Sequence, residues 1–117
     1  MFNYIHSTDP DFSGMLRFLT DELFAAERKG ERVWILGHVL TGWTGAEALD
    51  KPANLFFQIV SRFTPHTIAA IFFGHTHQDH FSVFYRAQSG ASRDISRHTR
   101  DARTVSFVGP PVTPLTN

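Results

Sequence analysis

The sequence predicts an α/β fold, a single layered domain in which helices alternate with strands. Two segments carry apolar residues at helical spacing, and short, almost continuous apolar segments flank them. Such alternation is typical of a sheet covered by helices, and 117 residues are enough for one domain only. The predicted order over residues 1–117 is β-α-β-α-β-β-loop-β, with 12 phenylalanines as core material.

The first two predicted elements are a short strand over residues 2–5 and a helix over about residues 10–29. We expect Asp9 to cap this helix, because its carboxylate can accept from free N–H groups and Pro10 suits the first helical position. Gly30 is the expected C-cap. The apolar positions of the helix recur every three or four residues: Phe12, Leu16, Leu19, Leu23 and Ala26.

The middle of the chain predicts a strand, a loop and a second helix. Residues 32–36 are almost continuously apolar, which favours a buried strand over an exposed one. A glycine-rich loop over residues 37–45 follows, and the second helix begins near residues 50–51, has Pro52 in its first turn and ends before Pro65. Its apolar stripe is made of Leu55, Phe56, Ile59, Val60 and Phe63.

Three further strands are predicted over residues 67–73, 81–86 and 104–108. Residues 87–103, between the last two strands, hold four arginines and one large aliphatic residue, which predicts a surface loop. The arginines are expected to be solvated, with contact to a phosphate as the alternative.

Composition excludes several classes of protein. The net charge of zero argues against a nucleic-acid partner, and no apolar segment approaches the ~20 residues of a transmembrane helix. The absence of cysteine excludes disulfides and Cys-ligated zinc. Because polar residues follow closely after Met1, no signal peptide is expected in this chain.

Histidines at the ends of two predicted strands are the candidate functional residues. Both strands end in Gly-His, at His38 and His75, and the second continues to His77. We expect each glycine to let the backbone turn so that the histidine projects over the sheet edge. In an extended segment His75 and His77 would point to the same side, and three converging imidazoles suit Zn²⁺. Asp79 is placed to orient these rings.

The other histidines are expected to have no metal-binding role. A surface or structural role is the interpretation for His6, His66 and His98. His80 adjoins the motif, but alternation predicts that it points away from His77.

Several motifs together resemble the C-terminal half of calcineurin-like metallophosphoesterases, and most closely the acid sphingomyelinase-like branch. They are Ser-Thr-Asp-Pro at residues 7–10, Gly-His-x-x-x-Gly at residues 37–42 and Ala-Ala-x-x-Phe-Gly-His-Thr-His-x-Asp-x-Phe at residues 69–81. The resemblance implies part of a layered α/β sandwich. It also implies that His38 and His75 bind one zinc ion and His77 a second, while the two ions activate a water and hold the phosphoryl oxygens.

The resemblance further implies phosphodiester hydrolysis, with sphingomyelin as the substrate of the nearest branch, and a secreted, vacuolar or lysosomal parent protein. The family's Asp-x-His, bridging Asp and Asn-His lie in an N-terminal half, and no Asp-x-His or Asn-His occurs in these 117 residues. The sequence therefore predicts a partial domain with at most a partial zinc site and no identifiable catalytic residue, inactive without that half. The alternatives are a non-catalytic zinc-binding or interaction fragment, or a phosphoesterase acting on nucleotides or polyphosphate.

Overall fold

The computed structural model describes residues 9, 11, 13–41, 50–86 and 98–113. Two α-helices and four strands lie within these residues, besides a short 3-10 helix at Thr99–Asp101, and this confirms the predicted α/β class. In chain order they are α1 (Met15–Lys29), β1 (Val33–Leu36), α2 (Asp50–Phe63), β2 (Ile68–Phe73), β3 (His80–Tyr85) and β4 (Ala102–Val108). The strand predicted over residues 2–5 lies outside the described residues.

The four strands form one sheet in the order β1-β2-β4-β3. Strands β1, β2 and β4 run parallel, and β3 pairs antiparallel with β4. The carboxyl ends of the three parallel strands therefore meet at one edge of the sheet. Strand β3 begins at the same edge, because His80 pairs with Val108 at the end of β4. We call this edge the C-terminal edge.

Helix α1 begins later than predicted and with a different cap. It starts at Met15, and the carboxylate of Asp11 accepts hydrogen bonds from the N–H groups of Leu16 and Arg17, both at 2.9 Å. Asp9 instead accepts from the N–H of Asp11 at 2.9 Å. The prediction that Asp9 caps the helix is wrong. Asp11 lies nearer to the first turn of α1, and its carboxylate accepts from two N–H groups that have no partner within the helix.

The other helix boundaries follow the predictions closely. Gly30 ends α1 with φ 68°, a left-handed conformation that glycine adopts without strain, and its N–H donates to the carbonyl of Glu27 at 3.1 Å. Helix α2 begins at Asp50 and ends at Phe63, just before Pro65.

Both helices cover one face of the sheet and form a single core with it. Arg62 of α2 makes two hydrogen bonds to the carboxylate of Glu27 of α1, at 2.8 and 3.0 Å, and its guanidinium lies 4.8 Å from the ring centroid of Phe63. The buried residues of this core come from both helices, all four strands and the segment after β1: Leu16, Leu23, Ile35, Leu40, Phe56, Val60, Phe63, Ile68, Ile71, Phe73, Phe84 and Val108.

The opposite face of the sheet is apolar and open among the described residues. Strand β1 is buried on one face only, because Trp34 and Leu36 are 68% and 75% exposed; the prediction of a buried strand was wrong on this point. Phe81 and Phe107 pair across β3 and β4 and are exposed on the same face.

The predicted loop over residues 87–103 ends earlier than expected, since β4 begins at Ala102. Residues 87–97 lie outside the described residues.

Candidate metal centre

The two Gly-His segments meet at the C-terminal edge of the sheet. Hydrogen bonding between β1 and β2 continues past the ends of both strands. The N–H of Gly37 donates to the carbonyl of Phe72 at 2.9 Å, and the N–H of Gly74 donates to the carbonyl of His38 at 3.0 Å. The backbone of His38 is therefore fixed directly to the residue that precedes His75.

This pairing brings two of the predicted ligands together. The ring centroids of His38 and His75 lie 5.3 Å apart with an interplanar angle of 77°. Two imidazoles that share one tetrahedral zinc, each bound at about 2.0–2.1 Å, have ring centroids about 5 Å apart. His38 is exposed and His75 half-buried, so both rings are accessible to an ion. The donor type and the spacing of this pair fit zinc.

The third predicted ligand lies in a segment that is not extended. His75 has φ 78° and His77 has φ 57°, and both values fall in the left-handed region. The alternation rule that predicted both rings on one side therefore does not apply here. His77 and Asp79 are exposed. Within the described ranges, no three side chains of His, Asp or Glu are grouped as a metal site. The ligand role of His77 and the orienting role of Asp79 stay predictions.

The glycine of the first Gly-His segment is needed for a reason the sequence did not show. Gly37 and Gly74 do not have the positive φ that a special turn would require. A Cβ atom on Gly37, however, would lie 2.8 Å from Cε1 of Phe73 and 3.0 Å from Cδ1. A Cβ on Gly74 would lie 3.5 Å from Nδ1 of His38, an ordinary contact. Gly37 is thus required by the close approach of an aromatic ring.

The sequence predicted no metal-binding role for the four remaining histidines. His66 and His98 are exposed, His80 opens β3 and is half-buried, and His6 lies outside the described residues. Sequence reasoning gave no signal for Thr76, whose hydroxyl oxygen is buried with no hydrogen-bond partner in the described part of the chain.

Comparison with known proteins gives a consistent set of relatives. The chain matches no family model. It is 37% identical over 112 residues to sphingomyelin phosphodiesterase 1 of Caenorhabditis elegans, covering 96% of this chain and 18% of that protein. It is 39% identical over 109 residues to human sphingomyelin phosphodiesterase, covering 93% of this chain and 15% of that protein. Sphingomyelin phosphodiesterase B of Dictyostelium discoideum is also 39% identical, over 108 residues. The chain spans less than a fifth of the length of these curated relatives.

Proposed function

The chain belongs to the sphingomyelin phosphodiesterase-like family, and on that premise we propose that it is the C-terminal portion of a zinc-dependent domain that hydrolyses sphingomyelin to phosphocholine and ceramide. The observation that carries the proposal is the junction of the two Gly-His segments, which holds His38 and His75 with ring centroids 5.3 Å apart at the C-terminal edge of the sheet. Ligands in α/β proteins bind beyond the carboxyl ends of parallel strands.

In this proposal the chain contributes imidazole ligands and their support. His38 and His75 hold one zinc ion, His77 binds a second, and Asp79 orients a ring. Zinc, when bound, lowers the pKa of a coordinated water toward ~7 and offsets the charge of the phosphoryl oxygens. The carbonyl of His38 accepts a hydrogen bond from the N–H of Gly74, which fixes the backbone of His38 to the segment that carries His75.

We further propose that the chain is inactive without an N-terminal half of the domain. The 117 residues contain no Asp-x-His and no Asn-His, so no candidate is present for a bridging carboxylate or an asparagine ligand. The sheet face that is open among the described residues supports this view. Leu36, Phe72, Phe107 and Phe81 pair in register across all four strands. Such an apolar row is typical of a sheet covered on both faces, and the N-terminal half is its proposed cover.

The test is a chimaera in which this chain replaces the aligned segment of sphingomyelin phosphodiesterase 1 of C. elegans. We expect zinc-dependent release of phosphocholine from sphingomyelin by the chimaera and no release by the 117-residue chain alone. Substituting His38→Ala or His75→Ala should abolish release, whereas His66→Ala, which changes an exposed histidine outside the site, should not.

Two results would count against the proposal. A chimaera that folds, binds zinc and does not hydrolyse sphingomyelin would favour a non-catalytic zinc-binding fragment. Faster hydrolysis of a nucleotide phosphodiester or of polyphosphate than of sphingomyelin would keep the reaction class but change the substrate.

A further inference from the structure

Phe73 occupies a position at the C-terminal edge that no ligand prediction used. It is the last residue of β2, directly before Gly74-His75, and it is only 9% exposed. Its ring lies under the backbone of Gly37, the residue directly before His38, close enough that a Cβ there would sit 2.8 Å from Cε1. The ring of Phe73 therefore contacts the segment that carries His38. In the chain, Phe73 directly precedes the segment that carries His75.

The ring of Phe73 also contacts the aromatic residues of the core. Its centroid lies 6.1 Å from that of Phe56 of α2, and Phe56 in turn lies 6.3 Å from Phe84 of β3. The carbonyl of Phe73 also accepts a hydrogen bond from the N–H of Gly109 at 3.0 Å. Because the ring is buried and protein cores have little free volume, moving it away from a bulkier residue at position 37 costs packing.

We infer that the contact between Gly37 and Phe73 positions His38 against His75. With glycine at position 37 the β1 backbone can lie directly on the ring, and this depth allows the hydrogen bond from Gly74 to the carbonyl of His38. A side chain at position 37 would lift the backbone from the ring and move His38 away from His75. Gly37 is thus a positioning residue, because the ring of Phe73 leaves room there only for glycine. The effect on metal affinity rests on the proposed function, but the effect on ring spacing does not.

The test uses the full chain without metal and reads the proximity of the two rings directly. An NOE between the imidazole protons of His38 and His75 is expected in the wild-type chain, lost in Gly37→Ala and restored in the double variant Gly37→Ala/Phe73→Leu, which removes Cε1, the nearer of the two obstructing ring atoms. Gly109→Ala is the matched control, because it lies at the same sheet edge and a Cβ there meets nothing within 4 Å. The control should keep the NOE.

A Co²⁺ titration of the same variants supplies a second readout. We expect Gly37→Ala to bind Co²⁺ about ten-fold more weakly than wild type, as is usual when support behind a ligand is lost, and the double variant to recover wild-type affinity. A wild-type chain that shows the NOE pattern but binds no Co²⁺ supports the positioning role and contradicts only the expectation that His38 and His75 bind a metal without the N-terminal half.

The inference is overturned if folded Gly37→Ala keeps the NOE, or if the wild-type chain lacks it. If Gly37→Ala does not fold, the double variant Gly37→Ala/Phe73→Leu tests the inference. A folded double variant with the NOE supports the inference, because removal of the ring then makes room for the added methyl group. A double variant that stays unfolded, or that folds without the NOE, overturns it.

Discussion

His77 has φ 57° and an exposed side chain, so its backbone conformation, not its packing, sets its contribution to stability. Left-handed backbone costs a residue other than glycine roughly 1–2 kcal/mol, and such strain is often found at functional sites. The same conformation at His75 gives two strained histidines in one short turn. Two strained residues in one turn agree with the proposed role of this turn as a source of metal ligands.

The first prediction follows from that strain. His77→Val should lower the free energy of unfolding by about 1–3 kcal/mol relative to His77→Gly, because a β-branched residue does not tolerate a positive φ. Thermal or urea unfolding measures the difference. At exposed His66, which lacks a positive φ, the order should reverse, with the glycine variant less stable. Equal stability of His77→Val and His77→Gly would show that the turn is not left-handed at this residue.

A buried hydroxyl gives the second prediction. The hydroxyl oxygen of Thr76 is buried without a partner in the described part of the chain, whereas that of Thr64 donates to the carbonyl of Val60 at 2.7 Å. Thr76→Val should therefore raise the free energy of unfolding by about 1 kcal/mol, and Thr64→Val should lower it by a similar amount. Urea unfolding of both variants checks this pair. A loss of stability in Thr76→Val would indicate a hydrogen bond that this geometry does not contain.

At the scale of elements, the two helices are tied by the ion pair of Glu27 and Arg62. The two hydrogen bonds from Arg62 hold the pKa of Glu27 below its ordinary value, and the same bonds raise the pKa of Arg62. A lowered carboxyl pKa in the folded state stabilises the fold above the unfolded-state value. That contribution is lost as the pH falls through the lower, folded-state pKa.

The third prediction concerns this pair. Glu27→Gln should lower the unfolding temperature slightly at pH 7, and the difference from wild type should vanish in strongly acidic solution, where Glu27 is protonated. Thermal unfolding across this pH range is the measurement. Asp21→Asn is the matched control, since Asp21 meets Arg17 in a single, more exposed contact at 3.4 Å and should have a smaller effect. A difference for Glu27→Gln that is independent of pH would exclude the ion pair as its cause.

The elements also show how far the sequence alone could lead. Helix α2 was predicted well because Pro52 and Pro65 mark both of its ends. The start of α1 was misplaced because Asp9-Pro10 is a strong local signal, and only the three-dimensional turn shows that Asp11 reaches the first free N–H groups. The need for glycine at position 37 could not be predicted from the sequence. It depends on the ring of Phe73, which lies 36 residues further along the chain (73 minus 37).

At the scale of the whole molecule, one sheet face is buried under helices and the other is open among the described residues. Trp34, Leu36, Phe81 and Phe107 are each about half exposed or more on the open face. With aromatic side chains of about 150–250 Å² each, these residues offer an apolar patch on the order of 500 Å². Sequence patterns predicted apolar strands but could not show which face lacks a cover. No helix in the described ranges is long and apolar enough to cross a membrane.

The fourth prediction is that this patch limits the solubility of the isolated chain. Trp34→Lys combined with Phe107→Lys should reduce concentration-dependent association, measured by light scattering, and should lower the unfolding temperature somewhat, because both rings also contact Phe72. Phe18→Lys is the control, because Phe18 is 65% exposed on α1, away from the sheet. Equal association of both variants would show that the open face is not the site of contact.

The proposed function makes His38, His75 and His77 ligands of a zinc phosphodiesterase whose other ligands come from an N-terminal half. The most direct measurement is the zinc content of the folded chimaera with sphingomyelin phosphodiesterase 1, by plasma mass spectrometry, alongside phosphocholine release. We expect His38→Ala and His75→Ala to lose the zinc ion that these two residues share, together with phosphocholine release, while His66→Ala keeps both. Unchanged zinc content and hydrolysis in His38→Ala and His75→Ala would contradict it.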